Sequence, residues 1–195
     1  IKCGHLEESS IVFQNMKERD IVTWTTMITG QTQLGHGIEI HHLCKRMCSE
    51  GIILNEVTFI SILEACSHVG FIDEAYYYFA TMPQEHGIVP EVEHYNCMVD
   101  LLGRAGDFDK IQNIMEKSCL HMDVCIWLCL LGACGTHGKL DLAKRAFDHA
   151  VNLDPKHGGA YVLLSNAYAD AGLQACIDEV GRLRELQGVF CCEWD

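Results

Sequence analysis

The chain has 195 residues, 49% of them hydrophobic and 21% charged, a composition typical of a folded domain and not of a disordered segment. Its 14 basic and 27 acidic residues give a net charge of −13, which argues against a non-specific binder of duplex nucleic acid. The longest apolar run, Val124 to Cys134, has 11 residues, whereas a membrane-spanning helix needs about 20. Because the chain starts at Ile1 without a signal-like segment, we expect it to begin within a longer protein.

A repeat of 31 to 36 residues runs along the whole sequence. Its markers are glycines spaced by 31, 35, 36, 32 and 34 residues, namely Gly4, Gly35, Gly70, Gly106, Gly138 and Gly172. Eleven positions before each of the last five glycines lies an aromatic residue, and these residues are Trp24, Phe59, Tyr95, Trp127 and Tyr161. One offset that recurs five times indicates a chain built from a single repeated structural unit.

Each repeat predicts two helices with the glycine between them. Apolar residues lie 11, 8, 7 and 4 positions before the glycine, the spacing of one face of an amphipathic helix, and only Gln31 and Ser165 break this pattern. The glycine then ends the first helix in the left-handed conformation. A second amphipathic helix is predicted after each of the first five glycines, at Leu6–Met16, Glu39–Met47, Ile72–Met82, Phe108–Met115 and Leu140–Val151.

The fold class that follows is all-α, an α-solenoid of stacked helix–turn–helix repeats. One helix pair cannot bury both of its apolar faces, so neighbouring pairs must stack around a shared core. We expect about eleven helices in one solenoid, since no proline- or serine-rich linker separates the repeats. Trp127 and Leu131 are expected to be buried in this core.

The repeats resemble those of plant pentatricopeptide repeat (PPR) proteins of the PLS class. The segments "IVTWTTMITG", "EVTFISILEACSHVGFIDEA", "EHGIVPEVEHYNCMVDLLGRAG" and "YVLLSNAYADAG" carry the resemblance. It implies a truncated S-type repeat at 1–20, a P-type repeat at 21–55, an L-type repeat at 56–91, a terminal S-type repeat at 92–123, a first E motif at 124–157 and a degenerate second E motif at 158–191. The first E motif is also similar to a tetratricopeptide repeat, with Trp127, Leu130, Ala143, Phe147, Ala150 and Pro155 at the signature spacings.

The exposed side of the first helices is the candidate RNA-binding surface. Steps of 100° per residue place Val22 and Thr25 about 140° from the centre of the apolar face, so both should face solvent. In the PPR family the fifth and last residues of a repeat select one base of single-stranded RNA. The resemblance implies that Thr25 with Asn55 favours adenine.

The same family rule gives a second base-reading pair and two clamp residues. Asn96 with Asp123 favours uracil, and Val22 and Val57 match the apolar residues that sandwich the base. In the L-type repeat the pair is Ile60 with Glu91, and Ile60 cannot form a hydrogen bond with a base. Glu93 departs from the apolar clamp. A plainer interpretation stays open for the polar residues, because Asn55 and Asp123 could simply be N-caps of the helices that follow them.

No enzyme activity, cofactor or metal site is expected. A zinc deaminase needs H-x-E and C-x-x-C motifs, but the sequence has only the H-x-E at residues 5–7 and no C-x-x-C. His41, Cys44 and Cys48 share one helix face but lack a second ligand pair. Most of the 12 cysteines lie in apolar segments, which favours buried, reduced thiols.

The resemblance implies sequence-specific binding of single-stranded RNA in an organelle. The expected process is site recognition for C-to-U editing, with the E motifs recruiting editing-complex proteins that include a DYW-type deaminase in trans. A mitochondrial location is expected over a chloroplast one, and neither DNA nor a membrane is an expected partner. The alternative is a protein–protein scaffold of the tetratricopeptide type, favoured by the negative charge. A non-functional gene fragment is a third interpretation, favoured by the missing start and the degraded sequence after Gly172.

Overall fold

The structure is a computed structural model of the chain that describes residues 6–33, 37–117 and 123–189. In these ranges all regular secondary structure is α-helical, which confirms the predicted fold class. The eleven helices are α1 (Leu6–Asn15), α2 (Ile21–Gln33), α3 (Gly37–Ser49), α4 (Glu56–Val69), α5 (Ile72–Glu85), α6 (Val92–Ala105), α7 (Phe108–Lys117), α8 (Val124–Thr136), α9 (Leu140–Leu153), α10 (Gly158–Asp170) and α11 (Gln174–Leu186).

Four of the six periodic glycines end a first helix as predicted. Gly70, Gly106, Gly138 and Gly172 have φ between 66° and 81°, a region that side-chain-bearing residues rarely adopt. After each glycine the next residue donates its N–H to the carbonyl five positions earlier, at 2.9 Å in all four turns. This bond satisfies a carbonyl that the end of the helix leaves free. Gly4 and Gly35 lie outside the described residues.

The chain divides into two compact units, residues 1–101 and 102–195, and the boundary falls inside α6 and not at a linker. In the first unit α2 packs against α1, α3 and α4, and α4 also packs against α3 and α5. In the second unit α8 packs against α9 and α10, and α10 also packs against α9 and α11. Both units are thus built from helical hairpins whose first helices pack side by side.

The predicted apolar face of the first helices forms most of the core. Of its 20 positions, 18 are buried, including Gln31 at 7% exposure despite its polar side chain. Leu131 is fully buried as expected. The burial expected of Trp127 is wrong, because its indole is only half-buried and faces a cavity. Ser165, the other sequence exception, is also half-buried.

The last helix forms although its sequence departs from the repeat pattern. α11 continues through Gly181, and Val180 is its one buried residue. Most of the helix is therefore held by few core contacts. No helix in the described part of the chain is long and apolar enough to cross a membrane.

Candidate functional site

Two exposed valines mark the candidate surface on α2 and α4. Val22 is 67% exposed and Val57 is 55% exposed, each at the second position of its helix. A valine exposed to this extent contributes little to the core of the first unit. The exposure of Val22 agrees with the sequence prediction, and both side chains are accessible to a ligand.

Thr25 is less accessible than the sequence predicted. Its side chain is half-buried because α2 and α4 approach closely enough for two hydroxyls to meet. The Oγ1 atom of Thr25 donates to the carbonyl of Ile21 at 2.8 Å and lies 3.1 Å from Oγ1 of Thr58. A second hydroxyl pair, Thr29 and Ser61 at 3.0 Å, joins the same two helices one turn further on. These contacts hold Thr25 at a fixed distance from the start of α4.

Asn55 is the N-cap of α4, as the plainer interpretation proposed. Its Oδ1 accepts from the backbone N–H of Thr58 at 2.9 Å and from the Thr58 hydroxyl at 2.7 Å. Since a backbone N–H can only donate, the atom that faces the helix must be the oxygen. The Nδ2 group of Asn55, with two N–H donors, is therefore the end left for a partner outside the helix. Capping and ligand contact do not compete for the same atom.

Asp123 caps α8 in the second unit with the same geometry. Its Oδ1 accepts from the backbone N–H of Ile126 at 3.0 Å. The second carboxylate oxygen, Oδ2, is left as an acceptor, where Asn55 in its own cap leaves a donor. The two caps therefore offer opposite hydrogen-bonding groups to a ligand.

Asn96, on α6 in the first unit, carries an unsatisfied group. Its Oδ1 atom is buried and has no hydrogen-bond partner among the described residues. A buried amide oxygen without a partner costs about 1–3 kcal/mol. A donor that reached this oxygen would recover part of that free energy, so Asn96 suits a polar contact better than an apolar one.

His94 is a positioning residue that the sequence analysis missed. The imidazole is fully buried, and its Nδ1 accepts from the backbone N–H of Glu91 at 3.1 Å. The proton must then lie on Nε2, which donates to the carbonyl of Glu56 at 3.1 Å. His94 thus ties the start of α6 to the start of α4. Its only sequence signal was a polar residue next to the periodic Tyr95.

The charge on these first helices disfavours contacts with phosphate. Helices α2, α4 and α6 contain one arginine, Arg104, and no lysine. Their acidic residues are all exposed, and these are Glu56, Glu64, Glu93 and Asp100. A polyanion would gain little from this surface, so any nucleic acid must be held here mainly through its bases.

The residues singled out as weak metal ligands do not form a metal site. His41 bonds through Nδ1 to the Tyr78 hydroxyl at 2.9 Å, and Cys44 is fully buried. Burial raises the pKa of the Cys44 thiol and raises that of Cys66 to about 12, so both stay protonated. Within the described residues no three His, Cys, Asp or Glu side chains are grouped to hold a metal ion.

The structure defines a repeat protein of helical hairpins in which capping residues and exposed apolar residues recur at matching positions of the first helices. Sequence comparison finds the PPR repeat at residues 22–52 and 93–118, the pentatricopeptide repeat domain at 42–105 and the E motif at 137–187. The chain therefore contains pentatricopeptide repeats followed by an E motif.

Relatives in Arabidopsis thaliana support this assignment. A mitochondrial pentatricopeptide repeat-containing protein is 42% identical over 99% of this chain, and the match covers 31% of that relative. A chloroplastic member is 42% identical over 88% of this chain and 20% of its own length. The chain thus spans less than a third of the length of these relatives.

The fold is also that of a solved pentatricopeptide repeat protein. The crystal structure of PPR10 from maize matches with a TM-score of 0.76 and 22% identity, over 96% of this chain and 28% of PPR10. PPR10 in complex with an 18-nt psaJ RNA element matches with a TM-score of 0.70 and 20% identity over the same shares of the two chains. At this identity the similarity establishes the fold alone.

Proposed function

We propose that this chain binds single-stranded RNA by base sequence as part of a longer PPR protein. The observation that carries the proposal is the cap geometry, in which Asn55 keeps its oxygen on the helix and leaves its amide nitrogen for a ligand. The exposed valines, Val22 on α2 and Val57 on α4, would supply the apolar contact for a base. The RNA complex of PPR10, a protein with this fold, supports RNA as the ligand.

The free atoms of the two caps fit different bases. Adenine has an acceptor, N1, on its Watson–Crick edge, which matches the N–H donors of Asn55. Uracil has a donor, N3–H, which matches the free carboxylate oxygen of Asp123. By the family rule, Thr25 is the second residue of the adenine pair and Asn96 the second residue of the uracil pair. The proposed repeats are those given by the sequence: 21–55, 56–91 and 92–123, after the truncated repeat 1–20.

The proposed process is C-to-U editing in an organelle by a PLS-class protein. The E motif found at residues 137–187 supports this subtype, and relatives named mitochondrial and chloroplastic support an organellar location. We place the chain in mitochondria. In this proposal motifs 124–157 and 158–191 recruit a DYW-type deaminase in trans, and the chain itself selects the site without catalysing the reaction.

The substitution Asn55→Asp tests base selection without disturbing the cap. Asparagine and aspartate cap helices about equally well, so α4 keeps its start and only the outward group changes from donor to acceptor. In the full-length protein, RNA preference at this position should move from adenine toward guanine, which offers N1–H. The change should be about 1–2 kcal/mol, since one base among several is altered. Binding to RNA variants at one position measures it.

A matched control is Asp107→Asn, which makes the reverse change at the cap of α7, a second helix outside the proposed surface. It should leave base preference unchanged. Asn96→Thr with Asp123 retained should shift preference from uracil toward guanine at the position assigned to repeat 92–123. Equal loss of affinity for all RNA variants, or no change for any, would refute base selection and favour the scaffold.

The second candidate function is a tetratricopeptide-like protein-binding scaffold. It is favoured by the exposed acidic residues of α4 and α6, which repel phosphate. Binding of a protein partner in the absence of any RNA affinity would identify this function.

A further inference from the structure

An aromatic pair recurs where a second helix packs against the next first helix. Phenylalanines that lie nine positions after a periodic glycine meet the periodic aromatic residue edge to face. The three pairs are Phe13 with Trp24, Phe79 with Tyr95 and Phe147 with Tyr161, with ring centroids 4.7 to 5.2 Å apart. In each pair the periodic aromatic residue is at most 8% exposed. A phenyl ring at this position therefore completes the burial of its partner.

Trp127 lacks such a ring. The residue nine positions after Gly106 is Met115, a half-buried side chain. One face of the Trp127 indole stacks on His149 at 4.1 Å, and the rest borders a cavity of about 370 Å³ between α7, α8 and α9. Met115 lines the same cavity. The space beside Trp127 is thus apolar and lies where the other pairs hold a phenyl ring.

Phe59 is the other aromatic residue without a phenylalanine, because Cys44 occupies the matching position. There the ring of His86 lies edge to face at 5.1 Å, and Phe59 is fully buried. The protein thus supplies an edge-to-face ring for Phe59, whereas the ring that pairs with Trp127 among the described residues is the stacked imidazole of His149.

The rim of the cavity carries charges of opposite sign on its two sides. Arg145 lies on α9 and Asp109 on α7; both are exposed, and neither forms an ion pair with a described residue. Glu116, also on α7, adds a second carboxylate. An RNA chain would meet two carboxylates against one guanidinium, whereas a peptide with an acidic and a basic residue could pair with both sides.

We propose that this cavity is a docking pocket for an aromatic side chain of a partner protein, whose flanking acidic and basic residues pair with Arg145 and Asp109. The ring takes the place that phenylalanine fills beside Trp24, Tyr95 and Tyr161. This inference rests on the protein-recruiting role proposed for the first E motif and gives that role a surface and a chemistry.

Short peptides test the pocket in the 195-residue chain. The probes are acetyl-Asp-Phe-Lys-amide and acetyl-Asp-Ala-Lys-amide, and the indole N–H resonance of Trp127 reports binding. The phenylalanine peptide should shift this resonance saturably and bind about tenfold more tightly than the alanine peptide. Equal binding of the two peptides would overturn the proposal.

Two variants distinguish binding in the pocket from non-specific binding to other apolar surfaces of the protein. Met115→Phe places the missing ring inside the protein, so it should raise thermal stability and weaken the phenylalanine peptide about tenfold. Ile53→Phe, which adds a ring at a 73% exposed position in the first unit, is the control and should leave affinity unchanged. Unchanged affinity in a folded Met115→Phe variant would overturn the proposal.

Arg145→Glu provides a second test at an exposed position where folding is not at risk. The substitution makes the charges on the rim wholly acidic. The variant should therefore bind acetyl-Lys-Phe-Lys-amide more tightly than acetyl-Asp-Phe-Lys-amide. A variant that still prefers acetyl-Asp-Phe-Lys-amide would contradict the proposed pairing of Arg145 with an acidic residue. A single-stranded RNA that shifts Trp127 and displaces the peptide would make the cavity a nucleic-acid surface instead. Base selection is measured separately through Asn55→Asp, so either proposal can fail alone.

Discussion

The substitution Gly103→Ala should destabilise the second unit, although alanine is the better helix former. Gly103 is buried near the end of α6, and an ideal Cβ built on it lies 2.7 Å from Cβ of Ala133 on α8. Carbon atoms in contact prefer about 3.5–4.0 Å, so the two backbones would have to move apart by about 1 Å. Overpacking of this kind lowers the free energy of unfolding by about 1–3 kcal/mol, and the better helix propensity of alanine raises it by up to about 1 kcal/mol. The net expectation is a loss of about 1–2 kcal/mol in the free energy of unfolding.

Gly181→Ala is the matched control for this prediction. Gly181 is exposed in the interior of α11, and an added Cβ meets no atom within 4 Å. Without a clash, the substitution should stabilise the protein by about 0.5–1 kcal/mol. Urea denaturation followed by far-UV circular dichroism measures both variants. A Gly103→Ala variant as stable as Gly181→Ala would refute the close approach of the two helices.

A double variant tests whether the clash involves the named atoms. Gly103→Ala with Ala133→Gly moves the methyl group from α8 to α6 and restores the space between them. The double variant should be more stable than the sum of the two single changes predicts, by about 1 kcal/mol or more. Strict additivity would mean that the loss in Gly103→Ala has another origin.

Three further predictions use the same unfolding assay or RNA binding. Trp24→Ala should lower the free energy of unfolding by about 3–5 kcal/mol because Trp24 is fully buried, whereas Trp127→Ala should lower it by about 1–2 kcal/mol because its indole is partly exposed and borders a cavity. Hydrogen bonding from Lys110 lowers the pKa of Asp107, so the cap stabilises α7 at neutral pH. This contribution is lost as the pH falls through the lowered pKa. Asp107→Ala should therefore lower the free energy of unfolding by about 1 kcal/mol at pH 7 and change it very little in strong acid. In RNA binding, the logarithm of the binding constant falls linearly with the logarithm of the salt concentration, and the slope reflects phosphate contacts. Arg104→Ala should reduce the magnitude of this slope by about 0.7 at most.

The helices could be predicted from the sequence because the residues that determine them lie close together in the chain. Apolar spacing and the periodic glycines predicted eleven helices, and the described turns show φ and hydrogen bonds of the expected kind. The exposure of Trp127 was not predictable in this way. It depends on which side chains of α7 and α9 meet the indole after the helices pack, and these side chains leave a cavity beside it.

The residues of the candidate surface could be predicted from the sequence, but the hydrogen bonds that their individual atoms form could not. The sequence placed Val22 in solvent correctly and left two interpretations of Asn55, cap or base contact. The structure shows that the cap uses only Oδ1, so both interpretations can hold together. The contact between Thr25 and Thr58 and the tautomer of His94 required coordinates, because each depends on atoms that meet only when adjacent repeats pack together.

In the proposed function, a cap with two polar atoms lets helix stability and base preference vary independently. Asparagine and aspartate each hold the helix start through one oxygen and leave a second atom, a donor in Asn55 and an acceptor in Asp123. Exchange of the two residues therefore changes the group offered to a base without changing the bond that begins the helix. A serine cap would hold the helix with its only side-chain oxygen and leave no second polar atom for the ligand. If the proposed base selection is correct, the last position of a repeat can change its base at little cost to the stability of the helix that it caps.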